Sequence, residues 1–265
     1  LSNYSAGQGG LADVELSIIP VSGNVYMIQR PGGGGNIGAQ IGSEGVLLVD
    51  SLFAQLTDKV EAAVEQVTEE KIRFLLNTHI HIDHVGGNGN LANKGALIFA
   101  HDNTRLRFLE ERSRFPRAGG SFVPQQPVAA RPLITFNDTL SFHLNGEEVR
   151  AFLVPPAHTD GDIFVFFPES DVLHLGDVYR TTSYPIIDVY NGGTLRGTVA
   201  AMDMAIEIAG PETKIIPGHG LDVVGREELI EFRDMILDIQ GQILKLIREG
   251  KKLHEVIAAQ PTAAY

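Results

Sequence analysis

Hydrophobic positions recur along the chain with two different periods. From Val14 to Asp50 they come in four short runs, VELSIIPV, NVYMIQ, NIGAQIG and GVLLVD, with turn residues between them. That spacing predicts a meander of paired strands. From residue 54 to 70 the period lengthens: Leu56, Val60, Ala63, Val64 and Val67 share one helical face, with Asp58, Glu61, Glu65 and Glu69 elsewhere. IRFLLNT, 72–78, reads as a buried strand, so the stretch is a βαβ-like unit. ALIFAH, 96–101, is another strand, NTRLRFLEERSRF, 103–115, predicts a helix, and AGGSFVPQQPVAARP, 118–132, is a Gly/Pro-rich connection.

The second half repeats the scheme. LITF, LSFHL, VRAFLVPP, DIFVFFP and VLHLGD read as strands, and TVAAMDMAIEIA as a helix. TKIIPGHG is a strand running into a Gly-rich turn. Residues 226–248 predict a long amphipathic helix with a buried stripe of Leu229, Phe232, Ile236, Ile239, Ile243 and Leu246. Strands followed by helix and strand, twice over, predict an α/β fold: an αββα sandwich of two mixed β-sheets with external helices. Residues 1–13, small and polar, read as a flexible N-terminal arm, and 14–265 as a single domain. RPGGGG, 30–35, reads as a mobile hairpin tip.

Composition narrows the function classes. The chain has 265 residues, 43% hydrophobic and 20% charged, enough to bury a sizeable core. Its net charge is −12 and no basic stripe runs along it, which argues against nucleic acid as a partner. No apolar run reaches the roughly 18 residues that a membrane span needs, so no membrane insertion is expected. There is no cysteine, which excludes disulfides, thiolate metal sites and a Cys nucleophile. A sequence starting at Leu1 without cysteine leans toward an exported, periplasmic protein. Oligomeric state is not legible.

The chemistry gathers in NTHIHIDHVGGN, 77–88, where His79, His81, Asp83 and His84 sit within six positions. In an extended segment residues i and i+2 point the same way, so His79 and His81 can reach one ion. Asp83 and His84 come where the chain must turn and can serve an adjacent ion. Neutral imidazole and carboxylate suit a borderline dication such as zinc, and a catalytic zinc takes about three protein ligands plus an open position. Three further ligand types follow later strands beside Gly or Pro: His158 in PPAHTDGD, Asp177 in HLGDVY and His219 in PGHG. His158 can complete the first site and His219 the second, with Asp177 able to bridge. His143 and His254 read as solvated, His101 as a helix-cap neighbour, and His174 as a partner of a ligand.

These residues resemble the metallo-β-lactamase superfamily. THIHIDHVGG is similar to its HxHxDH signature, AHTDGD to its third histidine, LHLGD to its bridging residue, IIPGHG to its last histidine and GVLLVDS to its strand before the first helix. The resemblance covers roughly residues 14–222. It implies the αββα fold and a dinuclear site, with His79, His81 and His158 on metal 1, Asp83, His84 and His219 on metal 2, and Asp177 between them. The cofactors implied are two Zn2+, with Mn or Fe possible because a carboxylate bridge is harder than a thiolate.

The expected function is that of a dinuclear zinc-dependent hydrolase. A metal-bridged hydroxide attacks the carbonyl of a β-lactam-like amide or an ester, with Asp83 as a catalytic group that orients the nucleophile or moves a proton. The expected partner is a small-molecule substrate, anionic if Arg180, three residues past Asp177, grips its carboxylate. Asn191, in YNGG, is expected near the same substrate. RPGGGG lies where class B lactamases carry a flap. Two features depart from the largest lactamase subclass, which has Cys at the Asp177 position and a basic residue at the His84 position. The Asp/His pair resembles lactonases and glyoxalase II-like thioesterases instead, and these form the alternative. A non-catalytic metal-binding scaffold is the alternative of another class.

Overall fold

The chain alternates strands with helices in the way its two periods predict, and a computed structural model describes residues 11, 13–31, 34–113, 122–123 and 125–265. The N-terminal meander consists of β1 (Ser17–Ser22), β2 (Val25–Gln29), β3 (Ile37–Gly42) and β4 (Gly45–Val49), each antiparallel to the next. Helix α1 (Thr57–Glu65), β5 (Ile72–Leu76), α2 (Ile82–Val85), α3 (Asn88–Asn93), β6 (Leu97–His101) and α4 (Asp102–Phe108) follow. Two short strands, β7 (Arg112–Ser113) and β8 (Phe122–Val123), pair with each other. Then come β9 (Ile134–Phe136), β10 (Thr139–Leu144), β11 (Glu147–Leu153), β12 (Ile163–Phe167), β13 (Val172–His174), α5 (Leu195–Ile208), β14 (Lys214–Ile216), α6 (Arg226–Arg248) and α7 (Leu253–Ala258).

The strands form a seven-stranded sheet, β1-β2-β3-β4-β5-β6-β9, and a five-stranded one, β10-β11-β12-β13-β14. Strands β4, β5, β6 and β9 run parallel, as do β13 and β14. Side-chain alternation explains why both sheets are buried on two faces. In β4, Leu47 and Val49 meet Val149, Ala151, Val165 and Phe167 of the other sheet, and Val46 and Leu48 meet α1 through Val60, Ala63 and Val64. In β12, Ile163, Val165 and Phe167 face inward and Phe164 faces α5 and α6 through Met202, Ala205, Leu229 and Phe232. Three apolar seams separating four layers make the expected αββα sandwich. Strands covered on both faces read as continuous apolar runs, which is how GVLLV and IFVFF appear.

Several element boundaries differ from expectation. The helix expected over 54–70 is a single 3-10 turn at Ala54–Leu56 followed by α1, so Val67 lies beyond it and is exposed. The helix expected over 103–115 ends at Phe108, and the chain reverses into β7. Residues 114–121 of that helix and of the following connection lie outside the described residues, as do 1–10 and 12 of the expected arm and Gly32–Gly33 of the expected hairpin tip. Leu11 is buried in the seam between α1 and the large sheet. Helix α6 has the expected bounds, but only Leu229, Phe232 and Ile236 of its stripe are buried. Helix α7 had no clear period in the sequence.

No helix among the described residues is long and apolar enough to cross a membrane.

Candidate metal centre

Parallel strands deliver the ligands to one edge of the sandwich. Beyond the C-terminal end of β5 comes the 77–84 segment, beyond β13 comes Asp177, and beyond β14 comes His219. A crevice outside the carboxyl ends of parallel strands is the usual ligand site of an α/β fold. His158 arrives from the connection between β11 and β12. The turn after β5 is forced tight by the Gly86–Gly87 pair. A Cβ on Gly86 would lie 2.6 Å from the Ile82 carbonyl and 2.9 Å from Ala54 N and Leu52 O, so no side chain fits there. That approach seats α2, which begins directly after His81 and carries Asp83 and His84.

The seven ligand types converge as two sets. Nitrogen and oxygen atoms of His79, His81, His158 and Asp177 all lie within 4.8 Å of one another, and so do those of Asp83, His84 and His219. In the first set His158 Nε2 faces His81 Nδ1 at 2.8 Å and lies 3.7 Å from Asp177 Oδ2. In the second, His219 Nε2 lies 3.2 Å from Asp83 Oδ2 and 3.2 Å from Asp177 Oδ2, while His84 Nε2 lies 3.1 Å from Asp177 Oδ1 and 3.3 Å from His219 Nε2. Asp177 therefore touches both sets.

What holds the other ring nitrogen fixes four of the five imidazoles. The Asp188 carboxylate takes His81 Nε2 at 2.8 Å, and the Ile186 carbonyl takes His158 Nδ1 at 2.6 Å. Thr78 Oγ1 meets His79 Nδ1 at 2.9 Å, and Asp50 Oδ2 meets His84 Nδ1 at 2.8 Å. The free nitrogens then point at a common place, as metal-ligating histidines require. A third grouping, Asp50 with His79 and His84, is also compact. Its carboxylate is spent, however: Oδ1 accepts the Thr78 N–H at 2.7 Å, and Oδ2 also accepts the Thr78 hydroxyl. Asp50 is a holder rather than a ligand.

Two buried polar atoms test whether a metal fits. His79 Nε2 is buried and makes no hydrogen bond, and buried Asp177 Oδ1 faces the His84 ring nitrogen at 3.1 Å without a hydrogen bond of good geometry. A buried polar atom without a partner is costly, and a cation between them removes that cost. The electrostatics agree. Burial and then the neighbouring imidazoles of His84 and His158 push His79 well below the ordinary histidine range, so it is neutral and able to ligate. Burial also lowers His84, but Asp177, Asp50 and Asp83 outweigh it and raise it well above that range. Burial works to raise Asp177, and His84 and His219 overcome it and hold it well below the carboxylate range. The carboxylates demand positive charge at this point, and a dication meets the same demand. Neutral imidazoles with carboxylates and no thiolate are the donor set of zinc or a harder first-row metal.

The remaining expected residues take up particular places. Asp83 keeps 20% side-chain exposure, the most of the four carboxylates close to the rings. Arg180 is 3% exposed, its Nη2 lies 3.2 Å from Asp177 Oδ2 and its Nη1 lies 3.4 Å from Ser183 Oγ. The guanidinium is thus turned onto the candidate ligand Asp177. Asn191 Nδ2 donates to Asp188 Oδ2 and so steadies the carboxylate behind His81. Gly35, from the expected flap, pairs with His219 in a β-bridge. His174 accepts the Gly176 N–H at Nδ1 and bonds no ligand histidine, so it braces the turn before Asp177 instead of a ligand. His101 caps α4 by accepting the Asn103 N–H. His143 and His254 are exposed. Sequence reasoning missed Asp50, Thr78, Asp188 and the Ile186 carbonyl. Asp50 had a signal, as the one charge ending the apolar run GVLLV. Asp188 had none.

Comparison with known proteins agrees with this geometry. The family model described as the metallo-beta-lactamase superfamily matches residues 19–219. A linear primary-alkylsulfatase from Pseudomonas sp. (strain ATCC 19151) is 23% identical over 251 residues, covering 81% of this chain and 47% of that protein. The chain thus spans about half of that relative's length. A metallo-beta-lactamase type 2 from Bacillus cereus is 22% identical over 195 residues, covering 73% of this chain and 70% of that one. Among solved structures, a metallo-beta-lactamase from Pontibacter korlensis superposes with a TM-score of 0.68 at 16% identity, covering 84% of this chain and 100% of that chain. Two histidine sets joined by one aspartate at the edge of an αββα sandwich, and a family match across most of the chain, lead to one conclusion: this chain belongs to the metallo-β-lactamase superfamily of hydrolases.

Proposed function

We propose that the chain is a dinuclear zinc hydrolase that cleaves a β-lactam-like amide or an ester bond. The observation that carries this reading is the convergence of two ligand sets, one of them built around the buried His79 Nε2, which has no hydrogen-bond partner. His79, His81 and His158 would hold one ion, Asp83, His84 and His219 the other, and Asp177 would join them. Ions held there would supply Lewis acidity, which acidifies water and draws charge from a carbonyl.

The chain's own groups do the rest. Asp188, Asp50, Thr78 and the Ile186 carbonyl keep the ligand nitrogens aimed before substrate arrives, so little reorganisation is needed in the reaction. Asp83, with its partly open carboxylate, is the group placed to orient a water or move a proton. The chain has no cysteine, so a thiolate nucleophile is excluded, and the convergence of imidazoles and carboxylates favours direct attack by water.

The zinc-loaded chain should be assayed with nitrocefin, a homoserine lactone, a glutathione thioester and an alkyl sulfate side by side. Turnover of nitrocefin or the lactone supports the carbonyl reading. Turnover of the thioester alone favours a thioesterase. Turnover of the sulfate alone replaces the reading with the activity that the Pseudomonas relative is named for. No turnover of any, with both ions bound, favours a scaffold.

A further inference from the structure

Helix α6 is 23 residues long, and its two halves are treated differently by the rest of the molecule. Leu229, Phe232 and Ile236 pack on α5 and the small sheet. Leu229 and Ile247 are eighteen residues apart, five whole turns at 3.6 residues per turn, so they lie on one line of the helix. Leu229 is fully buried and Ile247 is 56% exposed. Leu237 and Leu244, two turns apart on the adjoining line, are each 41% exposed. On α7, Leu253 and Ile257 share a face and are 76% and 65% exposed. The apolar stripe therefore continues past the point where this chain covers it.

Two further features lie on the same half-helix. Gly241 stands in its middle, where glycine costs about 1 kcal/mol against alanine. A Cβ there would meet nothing within 4 Å, so no packing among the described residues explains the glycine. The charges are also divided. Glu227, Glu228, Glu231, Asp234 and Asp238 outnumber Arg226 and Arg233 in the first half of the helix, while the charges of its second half are Lys245 and Arg248. Lys245 and Arg248 make no ion pair among the described residues. Helix-dipole preference accounts for the division of charge. It does not account for a bare glycine between exposed leucines.

We propose that α6 is an association surface for a second copy of this chain, with the two helices crossing antiparallel at Gly241. A two-fold axis through that residue places Asp234 opposite Arg248 and Asp238 opposite Leu244, and brings Leu237 beside Leu244 and Lys245 of the other copy. Asp234, paired with Arg233 in its own chain, meets the unpaired Arg248 of the other copy, Leu237 and Leu244 lie side by side across the axis, and the missing Cβ lets the backbones approach. The contact is self-complementary, as a closed dimer requires. It lies on the helix layer, away from the ligand residues, and stands independently of the reading of the metal site.

Sedimentation velocity on the purified full chain, across roughly 1–100 µM, is expected to show a dimer. Leu244→Glu should weaken association by at least about tenfold, with circular dichroism and zinc content unchanged. Asp234→Arg and Arg248→Asp should each weaken it, and the double exchange should restore it. Gly241→Gln should raise the Tm of the subunit through helix propensity and still weaken the dimer. A wild-type chain that stays monomeric throughout would overturn the proposal. So would a dimer that none of these substitutions weakens, or a double exchange that recovers nothing.

Discussion

Each imidazole in the site has two nitrogens, and only one can face an ion, so the group on the other nitrogen decides the geometry. For His81 that group is Asp188, itself held by Asn191. Asp188→Ala should lower metal affinity at the first set by about 10–100-fold, measured by chelator competition. Unchanged affinity would remove Asp188 from this role. His174 gives a second prediction. Burial pushes its imidazole from 6.5 down to about 4, so it is neutral in the fold and protonates more readily in the unfolded chain. A histidine depressed in this way leaves stability intact above pH 6.5 and erodes it as pH falls toward 4. The loss by pH 5 is on the order of 2 kcal/mol. His174→Asn keeps an acceptor for Gly176 N–H and should lose that much less between pH 7 and 5 in denaturant titrations. Equal losses in both proteins would refute it. At this scale the converging candidate residues were legible because His79, His81, Asp83, His84, His158, Asp177 and His219 all stand in segments that follow strands and carry Gly or Pro. The holders were not. An isolated aspartate such as Asp188 is indistinguishable in sequence from a solvated loop residue, and only the folded distance to His81 reveals it.

Elements were legible where one period held for long enough. The runs GVLLVD and DIFVFF gave strands within a residue of their bounds, and 226–248 gave α6 with its ends correct. The helix expected over 103–115 shows the limit. Its apolar spacing continues past Phe108, but the chain turns there to pair β7 with β8, a tertiary choice that local period does not carry. The glycines of HIDHVGGNGN offer a test of packing at this scale. Gly86→Ala would drive a Cβ against three backbone atoms and should cost about 2 kcal/mol in chemical denaturation. Gly89→Ala, inside α3 with Ala130 Cβ at 3.6 Å as its nearest neighbour, should be neutral or stabilise by up to about 1 kcal/mol. Equal effects at the two positions would mean that the close approach of α2 to the 52–54 segment does not shape the turn.

At the scale of the whole molecule, the αββα order was readable because two halves repeat strand, helix and strand. Which strand closes each sheet was not. Strand β9 crosses back to extend the large sheet, and nothing in ITF announces that. The sandwich matters to function because four chain segments, 79–84 and those carrying His158, Asp177 and His219, meet at one edge, and the ions of the proposed centre would be held only by their sum. Zinc titration of the metal-free chain, by calorimetry with elemental analysis of the product, tests this most directly. The wild type should bind two ions per chain, and an Asp83→Ala, His219→Ala double variant should bind one, retained by His79, His81 and His158. A wild type that binds one ion or none, or a double variant that still binds two, would contradict the dinuclear centre.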